Sequence, residues 1–246
     1  MKITETESIF KYLIDAKIIG IGTTAICFLL PDNQVLKLYY NSYNKRHLFY
    51  HHNMLEHLKL LNSVTNDTYI GPEELLINNG KVTAYLYPYI NDKTLHASKN
   101  FITLNEIITK YPKVESDTDK ISKNNFLIND LHDRNILIGN KLSIIDLDRG
   151  YIDEDLTVEK IYQRNMNEIN QTIIQSLFNI EDYEIIEFKD SKLNNLYKES
   201  THSAPNAFIE LLEQINEQCY PQKSTSKVLR KKILYSKKQN SYWKYY

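Results

Sequence analysis

The sequence is poor in the residues that mark a secreted or membrane-bound chain. Only two cysteines occur, Cys27 and Cys219. They stand far apart without metal-ligand spacing, so neither a disulfide framework nor a zinc site is expected, and a reducing, cytoplasmic setting fits best. No stretch reaches the roughly 20 consecutive apolar residues of a membrane-spanning helix, and the opening MKITETESIFKYLIDAK lacks the uncharged run of a signal segment. An excess of one charge is also missing. With 30 basic and 31 acidic residues the formal net charge is −1, which calls for no polyanionic partner. Internal repeats and low-complexity linkers are absent. What is left is a chain of 246 residues whose 42% hydrophobic content suffices for a sizeable globular core. Its length allows one large domain or two lobes.

The most informative stretch runs from Phe126 to Gly150, FLINDLHDRNILIGNKLSIIDLDRG. Its short apolar runs, Ile136–Ile138 and Leu142–Ile145, flank Gly139-Asn140 and predict a tight β-hairpin. Asp130 and Asn135 lie just before the first strand, and Asp146 ends the second. Three oxygen-bearing side chains can therefore converge where the strand ends meet. Such a donor set suits a hard cation like Mg2+, which takes oxygen ligands and shares them with phosphates and water. The plainer alternative is a surface hairpin whose Asp and Asn residues only cap turns.

Upstream, IIGIGTTAICFLLPDNQVLKLYY predicts three antiparallel strands. The first runs into Gly20-Ile21-Gly22-Thr23-Thr24-Ala25, the second is Ile26–Leu30, and the third, Val35–Tyr39, follows a turn at Pro31-Asp32-Asn33. Glycines in the first turn let backbone amides approach phosphate oxygens with no Cβ in the way. Lys37 sits on the third strand among Val35, Leu36 and Leu38, where the alternative reading is a solvent-facing lysine on an edge strand. Before these strands, Ile9–Ile19 has mixed helical and strand character. Tyr43–Leu61 reads as an amphipathic helix with Leu48, Leu55, Leu58 and Leu61 on one face and Glu56 as its single acid.

Two further apolar pieces, Tyr69-Ile70 with Glu74–Ile77 and then Val82–Ile90, separated by a turn at Asn78-Asn79-Gly80, complete a five-stranded antiparallel sheet plus one helix. Helices then dominate. Leu104–Lys110 and Asp117–Lys123 precede the hairpin, and Thr157–Phe178 follows it. Asp153, Glu154 and Asp155 stand at the positive end of that later helix, and Ile161, Ile169, Ile173 and Leu177 form its buried stripe. A further helix runs from about Pro205 to Cys219, with Phe208, Leu211, Leu212 and Ile215 on one face. The predicted class is α+β.

Asp130-Leu131-His132-Asp133-Arg134-Asn135 resembles the catalytic loop of the protein-kinase-like superfamily, especially its aminoglycoside-phosphotransferase and RIO-like branches, which read Asp-Leu-His-x-x-Asn. The resemblance spans about Ile18 to Asp148. It implies a bilobal fold, with an N-lobe at 1–90, a C-lobe at 91–222 and a basic aromatic tail at 223–246. By the same resemblance Asp130 is the catalytic base and His132 stands beside the transferred phosphate. Asn135 and Asp146 are metal ligands, and Asp148 either joins them or hydrogen-bonds the loop. Gly20, Gly22, Thr23, Thr24 and Ala25 form the phosphate loop, although Ala25 and Cys27 depart from the family's third Gly and its Val. Lys37 grips phosphates, within a side chain's reach of Asp146. Glu56 is the candidate partner of Lys37, with His51 or His52 as alternatives. Tyr89 and Ile90 form the hinge that meets adenine.

The implied activity is ATP- and Mg2+-dependent transfer of a phosphoryl group to a hydroxyl of a protein or small molecule. Only a few residues separate Gly150 from the next helix, and no Ala-Pro-Glu occurs, so control by activation-loop phosphorylation is not expected. An alternative is a catalytically weak pseudokinase that binds nucleotide and acts through a protein partner, suggested by Ile128-Asn129 before the acid and by Ala25. The tail, with Arg230, Lys231, Lys232, Tyr242 and Trp243 and no acid after Glu217, allows a third and lowest-ranked reading as a nucleic-acid contact.

Overall fold

The computed structural model describes residues 2–40, 54–78, 81–180, 186–202, 206–219 and 233–234. Over these the chain is α+β and divides into two compact units. One is the chain up to Asn91 with Ile145–Asp148, and the other is Asp92–Ile144 with the chain from Arg149 onward. Among the described residues no helix is long and apolar enough to cross a membrane.

The first unit contains β1 (Lys2–Glu5), β2 (Lys17–Ile21), β3 (Ala25–Leu29), β4 (Gln34–Tyr39), β5 (Glu74–Asn78), β6 (Lys81–Pro88) and helix α1 (Met54–Ser63). The strands form one six-stranded sheet in the order β1-β5-β6-β4-β3-β2. All neighbours are antiparallel except β1 and β5, which run parallel with Lys2 opposite Glu74. This corrects the expected all-antiparallel sheet of five. The additional strand, Lys-Ile-Thr-Glu, is mostly exposed and too short to show a period in sequence, and backbone pairing at the sheet edge creates it.

Tyr69-Ile70 is likewise not a strand. The Asn66 side-chain oxygen accepts the backbone N–H groups of Thr68 and Tyr69 at 3.0 and 2.9 Å, forming a turn that buries the Tyr69 ring. Ile9–Leu13 is a single 3-10 turn capped by Ser8. The predicted helix beginning at Tyr43 is described only from Met54. Its earlier part, with His51 and His52, lies outside the described residues, as do Asn79, Gly80 and the basic tail apart from Ile233 and Leu234.

Strand alternation sorts the side chains of this sheet. Leu36 on β4 and Ala84 and Leu86 on β6 bury into a cluster with Leu30 and Leu76, against which Ile9, Tyr12 and Leu13 pack. A period of two then turns Lys37 and Tyr39 of β4, and Tyr85 and Tyr87 of β6, to the other face. The register places Lys37 opposite Tyr85. One apolar face thus anchors the sheet while the other gathers a lysine and three tyrosines.

The second unit holds β7 (Lys93–Thr94), α2 (Leu95–Ser98), α3 (Leu104–Lys123), β8 (Phe126–Leu127), β9 (Ile136–Ile138), β10 (Leu142–Ile144), β11 (Tyr151–Ile152), α4 (Val158–Phe178), α5 (Ser191–His202) and α6 (Ala207–Cys219). β9 and β10 form the predicted hairpin, and β7 pairs with β9 on its other side. The two expected helices at 104–110 and 117–123 are one continuous helix. The buried stripe Leu104, Ile107, Tyr111, Val114, Thr118 and Ile121 continues past Pro112, so tertiary burial outweighs the break that an interior proline favours. A capping box between Thr103 and Glu106 starts this helix.

Helix α4 starts at its Thr157 cap as expected. Within it Asn165 is fully buried and fully used. Its side-chain oxygen accepts from Ile128 N–H at 2.8 Å, and its amide donates to Phe126 O at 2.8 Å and Ser122 Oγ at 3.1 Å. The chain entering Asp130 is thereby fixed to the core helix.

Candidate functional site

In the first unit the polar face of the sheet meets the segment Ile145–Asp148. The Lys37 ammonium forms ion pairs with Asp146 Oδ1 and, at 2.6 Å, with Asp148 Oδ2. Asp146 stands half exposed, with 45% of its side chain accessible, whereas Asp148 keeps 13%. Both Asp148 oxygens are engaged. Oδ2 takes Lys37 and the Tyr39 hydroxyl, and Oδ1 takes the Tyr87 hydroxyl at 2.9 Å.

Burial alone would drive the Asp148 carboxyl up, but the Lys37 ammonium and hydrogen bonds from Lys37, Tyr39 and Tyr87 outweigh it and hold the pKa below the ordinary carboxylate value. For Lys37 burial favours the neutral amine, yet Asp148 and Asp146 prevail and hold its pKa well above the ordinary value. Burial, and then Asp148, push the phenols of Tyr39 and Tyr87 well above theirs, so both remain donors.

The sequence expectation that Lys37 reaches Asp146 is met by this ion pair. Asp148 carries protein donors on both its oxygens. Asp146, half exposed and with one oxygen on Lys37, is the better fit to a hard cation. Glu56 falls on α1, and its side chain lies outside the described residues.

The Gly20–Ala25 turn closes with Gly22 N–H donating to Ala25 O at 2.9 Å. Gly20 faces Cys27 across the sheet, and a Cβ built on it would stand 3.8 Å from the Cys27 Cβ, an ordinary contact. Gly22 and Thr23 are exposed, Thr24 is half-buried and Ala25 is buried. At the expected hinge, Tyr89 N–H donates to Asn33 O at 3.1 Å.

In the second unit Asp130 lies at the end of the Asn165-anchored segment. His132 Nε2 stands 2.9 Å from its Oδ1 and Arg149 2.6 Å from its Oδ2. Asp130 and Asp146 share a backbone feature, with φ of 64° and 61°. This left-handed region is uncommon for residues other than glycine, Asp and Asn tolerate it best, and such positions cluster at functional sites. Asn135 is half-buried, and its N–H closes a turn on His132 O at 2.8 Å.

Sequence reasoning missed several groups here. Arg149 clamps Asp130. Glu168 of α4 accepts the Leu131 backbone N–H near Asp130 and His132, and burial raises its carboxyl above the ordinary value. Asp133 is held by His96 Nδ1 and Ser176 Oγ, each at 3.0 Å. A helical i, i+4 relation between Glu168 and Thr172, whose hydroxyl reaches Leu131 O at 3.4 Å, was the available signal for the α4 contacts.

No protein-family model matches the chain, and no curated protein matches it.

Proposed function

We propose that the protein is an ATP- and Mg2+-dependent phosphotransferase with a bilobal, protein-kinase-like architecture. The single observation that carries the reading is the meeting of Lys37, on the third strand after a glycine turn, with Asp146 at the end of the β9–β10 hairpin. Those positions lie 109 residues apart in the chain, and the resemblance of the motifs independently pairs them.

In this reading Lys37 holds nucleotide phosphates and the Gly20–Ala25 turn covers them. Asp148, Tyr39 and Tyr87 fix the lysine, a positioning task that the family resemblance gave to Glu56. Asp130 accepts the proton of the acceptor hydroxyl, and His132 and Arg149 orient its carboxylate. Asp146 and the amide oxygen of Asn135 are the residues that would hold Mg2+, which when bound supplies neutralising charge to the phosphates. The acceptor is a hydroxyl compound.

A second reading is favoured by the occupied Tyr89 amide and by Ala25: nucleotide binding without turnover, acting through a protein partner. Incubation of the purified protein with ATP and Mg2+, followed by mass spectrometry of the protein, of lysate proteins and of a metabolite pool, separates the two. A new phosphorylated product supports phosphotransfer. A Mg2+-dependent thermal shift with ATP and no ATP consumption supports the second reading, and neither response removes both.

A further inference from the structure

A cleft of about 310 Å³ opens within the second unit, beside the Asp130 loop. Its walls are His132, Asp133 and Arg134 of that loop, His96 and Lys99 around α2, and the last turns of α4. At the low end of ligand-pocket sizes, roughly 300–1,000 Å³, it suits a small molecule more than a macromolecular segment.

Among the residues that line this cleft, two full cations, Lys99 and Arg134, stand against one acid. Its acid, Asp133, has its Oδ2 on His96 Nδ1 and Ser176 Oγ, each at 3.0 Å, and its backbone oxygen takes His96 N–H at 3.1 Å. Its two full cations are not neutralised. Lys99 donates to the neutral side-chain oxygen of Asn179 at 2.9 Å, and the exposed Arg134 has no ion pair among the described residues. Gln175 adds an amide donor to the same wall. The remaining capacity of the cleft is therefore for a hydrogen-bond-accepting anion. The guanidinium of Arg134 and the ammonium of Lys99 together match a phosphate monoester, which carries close to two negative charges at neutral pH.

We propose that this cleft is the acceptor site and that it selects a small polyhydroxylated phosphate monoester. The phosphate rests on Arg134 and Lys99, and a free hydroxyl points past His132 toward Asp130. This assignment rests on the phosphotransfer reading. The hydroxyl oxygen bonds to the γ-phosphorus of ATP, the bond from that phosphorus to the β,γ-bridging oxygen breaks, ADP leaves with that oxygen, and the hydroxyl proton passes to the Asp130 carboxylate.

The test separates binding from turnover. Glucose 6-phosphate, ribose 5-phosphate, glycerol 3-phosphate and inositol 1-phosphate are titrated into the full chain without nucleotide by ligand-observed NMR, beside their unphosphorylated parents and glucosamine. At least one phosphate monoester is expected to bind, with its parent and glucosamine weaker. R134Q and K99Q should each weaken it by about tenfold, the size of one charged hydrogen bond, while the thermal transition stays in place. Binding of no panel phosphate, binding indifferent to both substitutions, or preference for glucosamine overturns the assignment. ATP consumed on a neutral or cationic acceptor also overturns it and leaves the phosphotransfer reading standing. Arg134-dependent binding with no ATP consumed on any acceptor removes the phosphotransfer reading and supports the anion selectivity of the cleft.

Discussion

The Lys37 ammonium lies 2.6 Å from Asp148 Oδ2, and the hydroxyls of Tyr39 and Tyr87 complete the set of donors around that carboxylate. Lys37 is 8% exposed. A charge that far from water is tolerated when its partner is present and is costly when the partner is removed.

Lys37→Met, which takes the cation away from the buried Asp148 carboxylate, is therefore expected to lower the unfolding free energy by roughly 3–5 kcal/mol, the range for breaking a buried pair on one side. Asp148→Ala should cost less, because Asp146 still pairs with Lys37. Replacing both residues with apolar ones, in Lys37→Met with Asp148→Leu, should recover much of that loss. Urea unfolding of the two single variants and the double variant gives the coupling directly, and additive losses would contradict it.

Asp130→Asn keeps the shape of the side chain and removes its basicity. It is expected to reduce turnover by about 10²–10⁴ while leaving nucleotide affinity near that of the parent. Radiolabelled phosphate transfer and calorimetric ATP titration measure the two quantities separately.

Asp146→Asn should behave differently, weakening nucleotide binding only when Mg2+ is present. The ATP-induced rise in thermal transition is expected to shrink in Mg2+ and to stay unchanged in EDTA. An equal loss under both conditions would assign Asp146 to fixing Lys37 alone.

Stability should respond to pH on both sides of neutrality. Asp148 is held below the ordinary carboxylate value in the folded chain. Its contribution is complete above that ordinary value and fades as pH falls toward the folded one. Lys37 is held above the ordinary lysine value. Its contribution is complete below that value and fades as pH climbs through the folded one. Urea midpoints across pH should show a plateau with two falling arms. Asp148→Asn should flatten the acid arm, and Lys37→Met the alkaline arm.

Asn165→Ala removes the three side-chain bonds that tie α4 to the segment before Asp130. Leaving Ile128 N–H and Phe126 O without partners should cost roughly 1–3 kcal/mol each. Hydrogen exchange at Ile128 should accelerate more than exchange in the sheet of the first unit.

Much of this was legible in the residues. The Gly139-Asn140 hairpin and the alternation of β4 follow from local period, while it was the family resemblance that brought Lys37 and Asp146 into one expectation. The place of Asp148 was not legible. Its surroundings depend on the register that turns Tyr39 and Tyr87 to the same face as Lys37, and a single sequence does not specify register between strands 48 positions apart, such as Tyr39 and Tyr87 on β4 and β6. Arg149 was overlooked because its target is set by the backbone path after Asp146, where φ is positive. Helix α5 was missed because the buried side of SKLNNLYKESTH is apolar only at Leu193 and Leu196 among the described residues, its other buried positions, Ser200 and Thr201, being polar. Pro112 failed as a boundary because the buried side of α3 runs through it while the proline itself faces solvent.

The return of Ile145–Asp148 to the first unit has a consequence for biosynthesis. A nascent chain released at Asn91 would carry every strand of the large sheet but neither carboxylate that neutralises Lys37. The amino-terminal portion can reach its final state only after the ribosome has also delivered the β9–β10 hairpin, so a ribosome stalled between those points should present a sheet that proteases still cut.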